Sequence, residues 1–251
     1  MKIYAATQKG VQKAQNEDRV VLNQNILSVG IYECECTEGF VAVADGVGGN
    51  NAGAVASQFV VEELGKCDHT IKNLTEINRK LIERSRTDEA LAGMATTLAM
   101  VDYTEDSAKI TYVGNTRVYA VVNGKYLKQL TRDDTTLEYL LATGQLNSFT
   151  AESFERKNEI TACFGADNPA LLKLKQIDVS GQDMLIVTSD GIHDHVSIDE
   201  MEDIYCVADD KMVFCKRLIE QAVENGSIDD MSVVIGDRES VSYTHLRAHE
   251  T

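Results

Sequence analysis

Two short, almost wholly apolar runs in this chain each stop at an Asp-Gly pair. Phe40-Val-Ala-Val-Ala44 leads into Asp45-Gly46, and Met184-Leu-Ile-Val-Thr-Ser189 leads into Asp190-Gly191. Unbroken runs rich in Val, Ile and Leu, with no polar alternation, read as strands covered on both faces. Such strands belong in the middle of a layered core, so their acids lie at its rim. A further acidic pair, Asp229-Asp230, stands directly before the strand-like Met231-Ser-Val-Val-Ile235, and Asn16-Glu17-Asp18 precedes another β-rich stretch. If these strand ends meet, the carboxylates face one another at close range, where like charges repel or raise one another's pKa. Divalent hard cations resolve that conflict: carboxylate, carbonyl and water oxygens suit Mg²⁺ or Mn²⁺, and one Asp can bridge two ions. A glycine after the aspartate also lets its carbonyl approach a metal without a side-chain clash. Taken singly, an Asp-Gly is a turn dipeptide and Asp229-Asp230 a solvated turn. The ordered set, in matched strand contexts, points to a site.

Other β-rich runs cover residues 26–32, 96–103, 109–113 and 117–122. Ala52, Ala56, Phe59, Val60 and Leu64 recur at helical spacing, as do Met212, Cys215, Leu218, Ile219 and Ala222. Residues 71–91 read as a longer, charged helix, and 134–144 and 198–208 as shorter ones. This order is not the regular βαβα alternation of a doubly wound parallel sheet, and it fits an α+β arrangement of antiparallel sheets packed together with helices outside. No repeat or linker divides residues 1–240, which are expected to form one domain. Residues 241–251 break the pattern and resemble the translation of a sequencing-library adaptor. They are expected to be disordered and outside the fold.

With 40 Asp+Glu against 24 Lys+Arg, the formal charge of −16 excludes a phosphate-backbone binder and disfavours anionic membranes. The 43% hydrophobic content excludes a disordered chain. No apolar run approaches the roughly 20 residues of a spanning helix, and the polar start Met1–Gly10 lacks a signal-peptide core, so a cytoplasmic protein is expected. The six cysteines are irregularly spaced, and the Cys34-x-Cys36 pair has no second pair at zinc spacing, so reduced thiols are expected.

Several motifs, in order, resemble the metal-dependent protein serine/threonine phosphatases of the type 2C or PPM class in their compact bacterial form. They are Thr7-Gln-Lys-Gly10 through Asn16-Glu17-Asp18, Val43-Ala-Asp45-Gly46-Val-Gly-Gly49, Met94-Ala-Thr-Thr-Leu98, Val113-Gly-Asn-Thr-Arg-Val-Tyr119, Leu130-Thr-Arg-Asp-Asp134, Ile160-Thr-Ala-Cys-Phe-Gly165, Thr188-Ser-Asp-Gly191 and Asp229-Asp-Met-Ser232. The resemblance implies a four-layer α-β-β-α sandwich with two Mn²⁺ or Mg²⁺ ions at one end. Asp45 would bridge both, Asp190 and Asp229 would hold the first, Gly46 would offer its carbonyl to the second, and Glu17 and Asp18 would act directly or through water. Asp133 would match a carboxylate of a third, weaker site. A water bridging the ions, acidified by them, would attack phosphorus in line with the seryl or threonyl oxygen. Substrates would be phosphorylated Ser/Thr proteins made by a cognate bacterial kinase, and the enzyme a monomer.

The chain departs from the family in several places. Lys13 stands where an Arg usually holds substrate phosphate, which exchanges a bidentate fork for a point charge. Val47 occupies the place of a His proposed as general acid in animal members, Asn115 that of a commoner Asp, and Asp134 that of a commoner His. His193 and His195 follow Asp190-Gly191 on what reads as a loop, with solvent-facing or locally capping side chains. Residues 144–159 match the family's mobile flap, or a plain surface helix and loop. Two other functions stay open here: a phosphatase-like binding or sensing domain with weak turnover, and a hydrolase of small phosphoesters.

Overall fold

In the computed structural model, which describes residues 1–238 apart from 49–51, 106, 152, 153, 155, 167, 182 and 183, the apolar runs are strands with both faces covered. In Gly39–Ala44, Val41 and Val43 point into the space between two sheets, while Phe40, Ala42 and Ala44 point to a helical layer. In Met184–Thr188, Leu185 and Val187 enter the same space, and Met184 and Ile186 face a second helical layer on the far side. The pleat's period of two divides each continuous run between two cores.

Both sheets have six strands and are antiparallel throughout. The first runs Tyr126–Gln129, Arg117–Val122, Met184–Thr188, Met231–Asp237, Lys2–Gln8, Gly30–Glu35. The second runs Lys175–Ser180, Ser107–Val113, Leu98–Tyr103, Gly39–Ala44, Arg19–Leu22, Asn25–Leu27. A small ladder pairs Gly46–Val47 with Ala95–Thr96. Helices α1 (Ala52–Leu64) and α2 (Ile71–Ser85) cover the second sheet. The short α3 (Thr136–Ala142) and α4 (Ser148–Ala151) lie in the connection that leads to Lys175–Ser180. Helices α5 (Asp190–His193), α6 (Ile198–Val207) and α7 (Lys211–Glu224) cover the first sheet. The architecture is the α+β, four-layer α-β-β-α sandwich that the resemblance implies.

Beyond shifts of one or two residues at element ends, three elements differ from the sequence reading. Residues 26–32 are not one strand: Gly30, at φ +95°, turns the chain from Asn25–Leu27 at the edge of one sheet to Gly30–Glu35 at the edge of the other. The helix expected over 71–91 ends at Ser85, and Asp88 caps a separate turn at Glu89–Leu91 by accepting from the Ala90 N–H. The polar stretch between them offers nothing apolar to bury. The strand expected over 96–103 breaks at Thr97, whose N–H donates to the Asp45 carbonyl at 2.9 Å.

Candidate active site

Strand ends from both sheets meet at one end of the sandwich. Arg19 lies opposite Ala44, which sets Asp18 beside Asp45. On the first sheet Thr188 lies opposite Val233, and the Ser189 N–H donates to the Ser232 carbonyl at 3.0 Å, so Asp190 and Asp229-Asp230 flank neighbouring strand ends. Asp230 fastens the 9–18 loop to this end. It is 3% exposed, and its Oδ1 and Oδ2 accept from the Gly10 and Glu17 N–H groups, both at 2.8 Å. Lys13 Nζ thereby reaches Asp229 Oδ1 at 2.8 Å and Glu17 Oε2 at 3.1 Å.

The glycines of the two Asp-Gly pairs serve close approach rather than turns, since neither has a positive φ. A Cβ on Gly191 would lie 2.0 Å from the Asp230 carbonyl oxygen. On Gly46 it would lie 2.3 Å from the Gly53 carbonyl oxygen in α1 and 2.8 Å from that of Glu17. Ser57 Oγ, one turn further along α1, donates to the same Glu17 carbonyl at 2.5 Å. These contacts hold Glu17, Gly46 and the start of α1 as one packed unit.

Asp18 is buried, and Asp45, Asp190 and Asp229 are half-buried near it. Burial raises Asp18 from 3.8 to about 7, with Asp230 and Asp190 adding to the rise against the hydroxyls of Ser232 and Ser189. Its Oδ2 accepts from Ser189 Oγ at 2.7 Å, and its Oδ1 is buried with no partner. Asp45 is raised well above the usual carboxylate range by burial and then by Asp190, Asp18 and Asp229. Asp190 rises to about 6 through burial, Asp194 and Asp229, offset in part by Asn115 Nδ2, which donates to its Oδ2 at 2.8 Å. Asp45 and Asp190 lie close enough that each perturbs the other's carboxyl. Among the described residues no three acidic, His or Cys side chains are drawn around a single point; Lys13 pairs with Glu17 and Asp229. An all-oxygen donor set, a lone buried Asp18 Oδ1 and a Gly46 cradle without room for a Cβ fit hard divalent cations.

Of the residues expected from sequence, Lys13, Glu17, Asp18, Asp45, Gly46, Asp190 and Asp229 come together here. Asp133 does not join them. Arg117 clamps it from two sides, with Nε 3.1 Å from each carboxylate oxygen and one terminal nitrogen 2.7 Å from Oδ2. Asp134 is likewise engaged, by Lys175 Nζ at 2.6 Å and the Gly114 N–H at 3.1 Å. His193 is not solvent-facing: it is 7% exposed, with Nδ1 2.8 Å from Thr188 Oγ1. Helix α5 starts at Asp190 and folds His193 back under the strand it follows. Sequence reasoning gave no role to Asp230, Asn115 or Ser189. Only a polar residue standing directly at the end of an apolar run marked them. Within the expected flap, part of which lies outside the described residues, Asn158 donates to Asp194 beside Asp190. The tail 241–251 also lies outside them.

Two antiparallel sheets between helical layers, with carboxyls gathered where strand ends of both sheets meet, define a class of layered protein. The chain belongs to the protein phosphatase 2C family, whose model matches residues 34–221. It is similar to protein phosphatase PhpP of Streptococcus pneumoniae, at 28% identity over 248 residues, covering 94% of this chain and 96% of that protein. Serine/threonine phosphatase Stp1 from Staphylococcus aureus shares the fold with a TM-score of 0.79 at 25% identity, over 94% of each chain. The catalytic domain of the serine/threonine protein phosphatase PstP, solved in complex with two manganese ions, superposes with a TM-score of 0.74 at 23% identity, over 94% of this chain and 99% of that one.

Proposed function

We infer that the chain is a metal-dependent serine/threonine protein phosphatase that hydrolyses phosphoserine and phosphothreonine in proteins. The observation that carries this is the crowding of half-buried Asp45 and Asp190 with buried Asp18, from separate strand ends, in a family of phosphatases. Two Mn²⁺ or Mg²⁺ ions, the number held by the manganese-bound PstP domain, would be held by Asp45 between them, with Asp190, Asp229, Asp18, Glu17 and the Gly46 carbonyl around them. When bound, such ions supply positive charge to the phosphoryl group and acidify water, the nucleophile of the reaction. The protein's own groups prepare that site. Asn115 orients Asp190, Asp230 fixes the loop that carries Lys13 and Glu17, and the Gly46–Gly53 contact fixes the start of α1. Lys13 gives the substrate phosphate one point of positive charge. Asp133, held by Arg117, would serve a third, weaker site apart from these two.

The substrates on this reading are the products of a Ser/Thr protein kinase. The enzyme would act as a monomer in a reducing, cytoplasmic setting, which its free cysteines suit. Among the described residues no helix is long and apolar enough to cross a membrane. The test is turnover of a phosphothreonine peptide with Mn²⁺: activity is expected in the wild type and lost in Asp190→Asn. A wild-type protein inactive across divalent metals overturns the assignment.

A further inference from the structure

Asp45 and Asp190 leave strand ends of different sheets, and a buried contact joins the two sheets beside them. On the second sheet, Thr97 stands just before Leu98–Tyr103, and its N–H donates to the Asp45 carbonyl at 2.9 Å. Thr96 Oγ1 donates to the same oxygen at 2.8 Å, and Thr97 Oγ1 at 3.5 Å. On the first sheet, Thr116 stands just before Arg117–Val122, and its neighbour Asn115 donates from Nδ2 to Asp190 Oδ2 at 2.8 Å. The hydroxyls of Thr97 and Thr116, both buried, meet at 2.6 Å. Gly114, at φ +97°, lets the turn come this near: a Cβ there would lie 2.6 Å from both Cβ and Cγ2 of Thr97.

We propose that Thr97 and Thr116 are positioning residues whose hydroxyl pair sets Asp45 against Asp190 across the two sheets. The inference rests on the reading of both acids as metal ligands. A carbonyl can only accept, so the order that uses both hydroxyl protons runs from Thr116 to Thr97 and from Thr97 to the Asp45 carbonyl. With the Thr97 N–H and the Thr96 hydroxyl also on it, that oxygen has no lone pair left for a cation, and its part is to hold. These donors restrain one peptide plane, and the Asp45 carboxyl, two bonds from the same backbone, keeps only its own staggered side-chain rotations. At the far end of the pair, the turn that carries Thr116 delivers Asn115 to Asp190. The pair therefore ties the backbone behind one acid to the group that orients the other. Partners that orient a metal ligand typically change metal affinity by about 10- to 100-fold when removed.

Two kinds of substitution separate the hydroxyl from the packing. Valine keeps the shape of threonine without its hydroxyl, whereas serine keeps the hydroxyl without the methyl. Mn²⁺ binding to the full chain is followed by calorimetry, with the melting temperature in chelator as the check on folding and Asp190→Asn as the reference. Thr97→Val and Thr116→Val are each expected to bind Mn²⁺ about tenfold more weakly than the wild type, and Thr97→Ser and Thr116→Ser within about threefold of it. Because both valines break the same contact, the double variant is expected to stay within about threefold of the weaker single one. Wild-type affinity in either valine variant, or equal losses in the serine and valine variants, overturns the proposal in favour of a packing role. Losses that multiply in the double variant mean two independent contacts and overturn it as well. If Asp190→Asn also binds Mn²⁺ normally, the metal-site reading itself falls and takes the inference with it. Should Thr97→Val not fold, Thr116→Val carries the test alone, since it breaks the pair and leaves the contacts of Thr97 with Asp45 in place: about tenfold weaker binding is expected, and an unchanged affinity overturns the proposal.

Discussion

Lys13 neutralises acids by charge where a guanidinium would also bind by shape. Burial pulls its pKa down, but the hydrogen bonds and charges of Asp229 and Glu17 push it up by more, so it stays cationic across any working pH. An arginine would present a planar fork able to take two phosphate oxygens at once. Lys13→Arg is therefore expected to lower the KM for a phosphothreonine peptide by about threefold with little change in kcat; a KM that stays level or rises would show that residue 13 does not contact the phosphate. The principal acids were legible in the sequence because each interrupts an apolar run at its end, a place where a core strand has no use for charge. Asp230 was not, because its partners, the Gly10 and Glu17 N–H groups, are more than 200 residues away along the chain. His193 was misread for a related reason. The polar Asp194 and His195 follow it, and only the short helix α5 turns it inward.

Among the elements, α1 shows how tertiary contact overrides propensity. Replacing a helical glycine with alanine ordinarily stabilises a helix by about 0.5–1 kcal/mol. At Gly53, however, a Cβ would stand 2.7 Å from the Gly46 backbone and 2.9 Å from Glu17 Oε1. Since backbone cannot step aside as a flexible side chain does, Gly53→Ala is expected to destabilise the protein by about 1–3 kcal/mol in a urea titration. A stabilised variant would mean that the crossing of α1 over Gly46 is loose. The strands covered on both faces were readable from their unbroken apolar character, and α7 from its periodic buried face. Lys2–Gln8 went unread despite being paired on both sides in the first sheet: its sequence, Lys-Ile-Tyr-Ala-Ala-Thr-Gln, carries small and polar residues because α7 and the neighbouring strands supply the bulk around it. Tyr126–Gln129 and Lys175–Ser180 are edge strands, where half-exposed polar residues conceal the pattern.

For the whole molecule, the buried acids tie stability to pH in a definite direction. Asp18 and Asp190 have folded-state pKa values of about 7 and about 6, above the usual 3.8. The stability this gives is fully present below pH 3.8 and is lost as pH rises through those values, because the folded state then holds unpaired buried charge. His193, lowered by burial, works in the opposite sense below its ordinary 6.5, so the clean measure is a difference. The rise in Tm on exchanging chelator for Mn²⁺ is expected to grow between pH 5.5 and 7.5, as protons leave the carboxyls and the ions replace them. A metal-induced shift that is flat or falls over that range would separate the titrating acids from the ion site.

The pairing of Lys2–Gln8 with Met231–Asp237 has a consequence for synthesis. Lys13 and Glu17 are synthesised more than 200 residues before Asp229, Asp230 and the strand that seats them. The centre cannot close on a partial product, so a nascent chain still tethered within its last strand has no route to dephosphorylating anything around it. On the proposed reading, catalytic competence waits for the synthesis of Met231–Asp237.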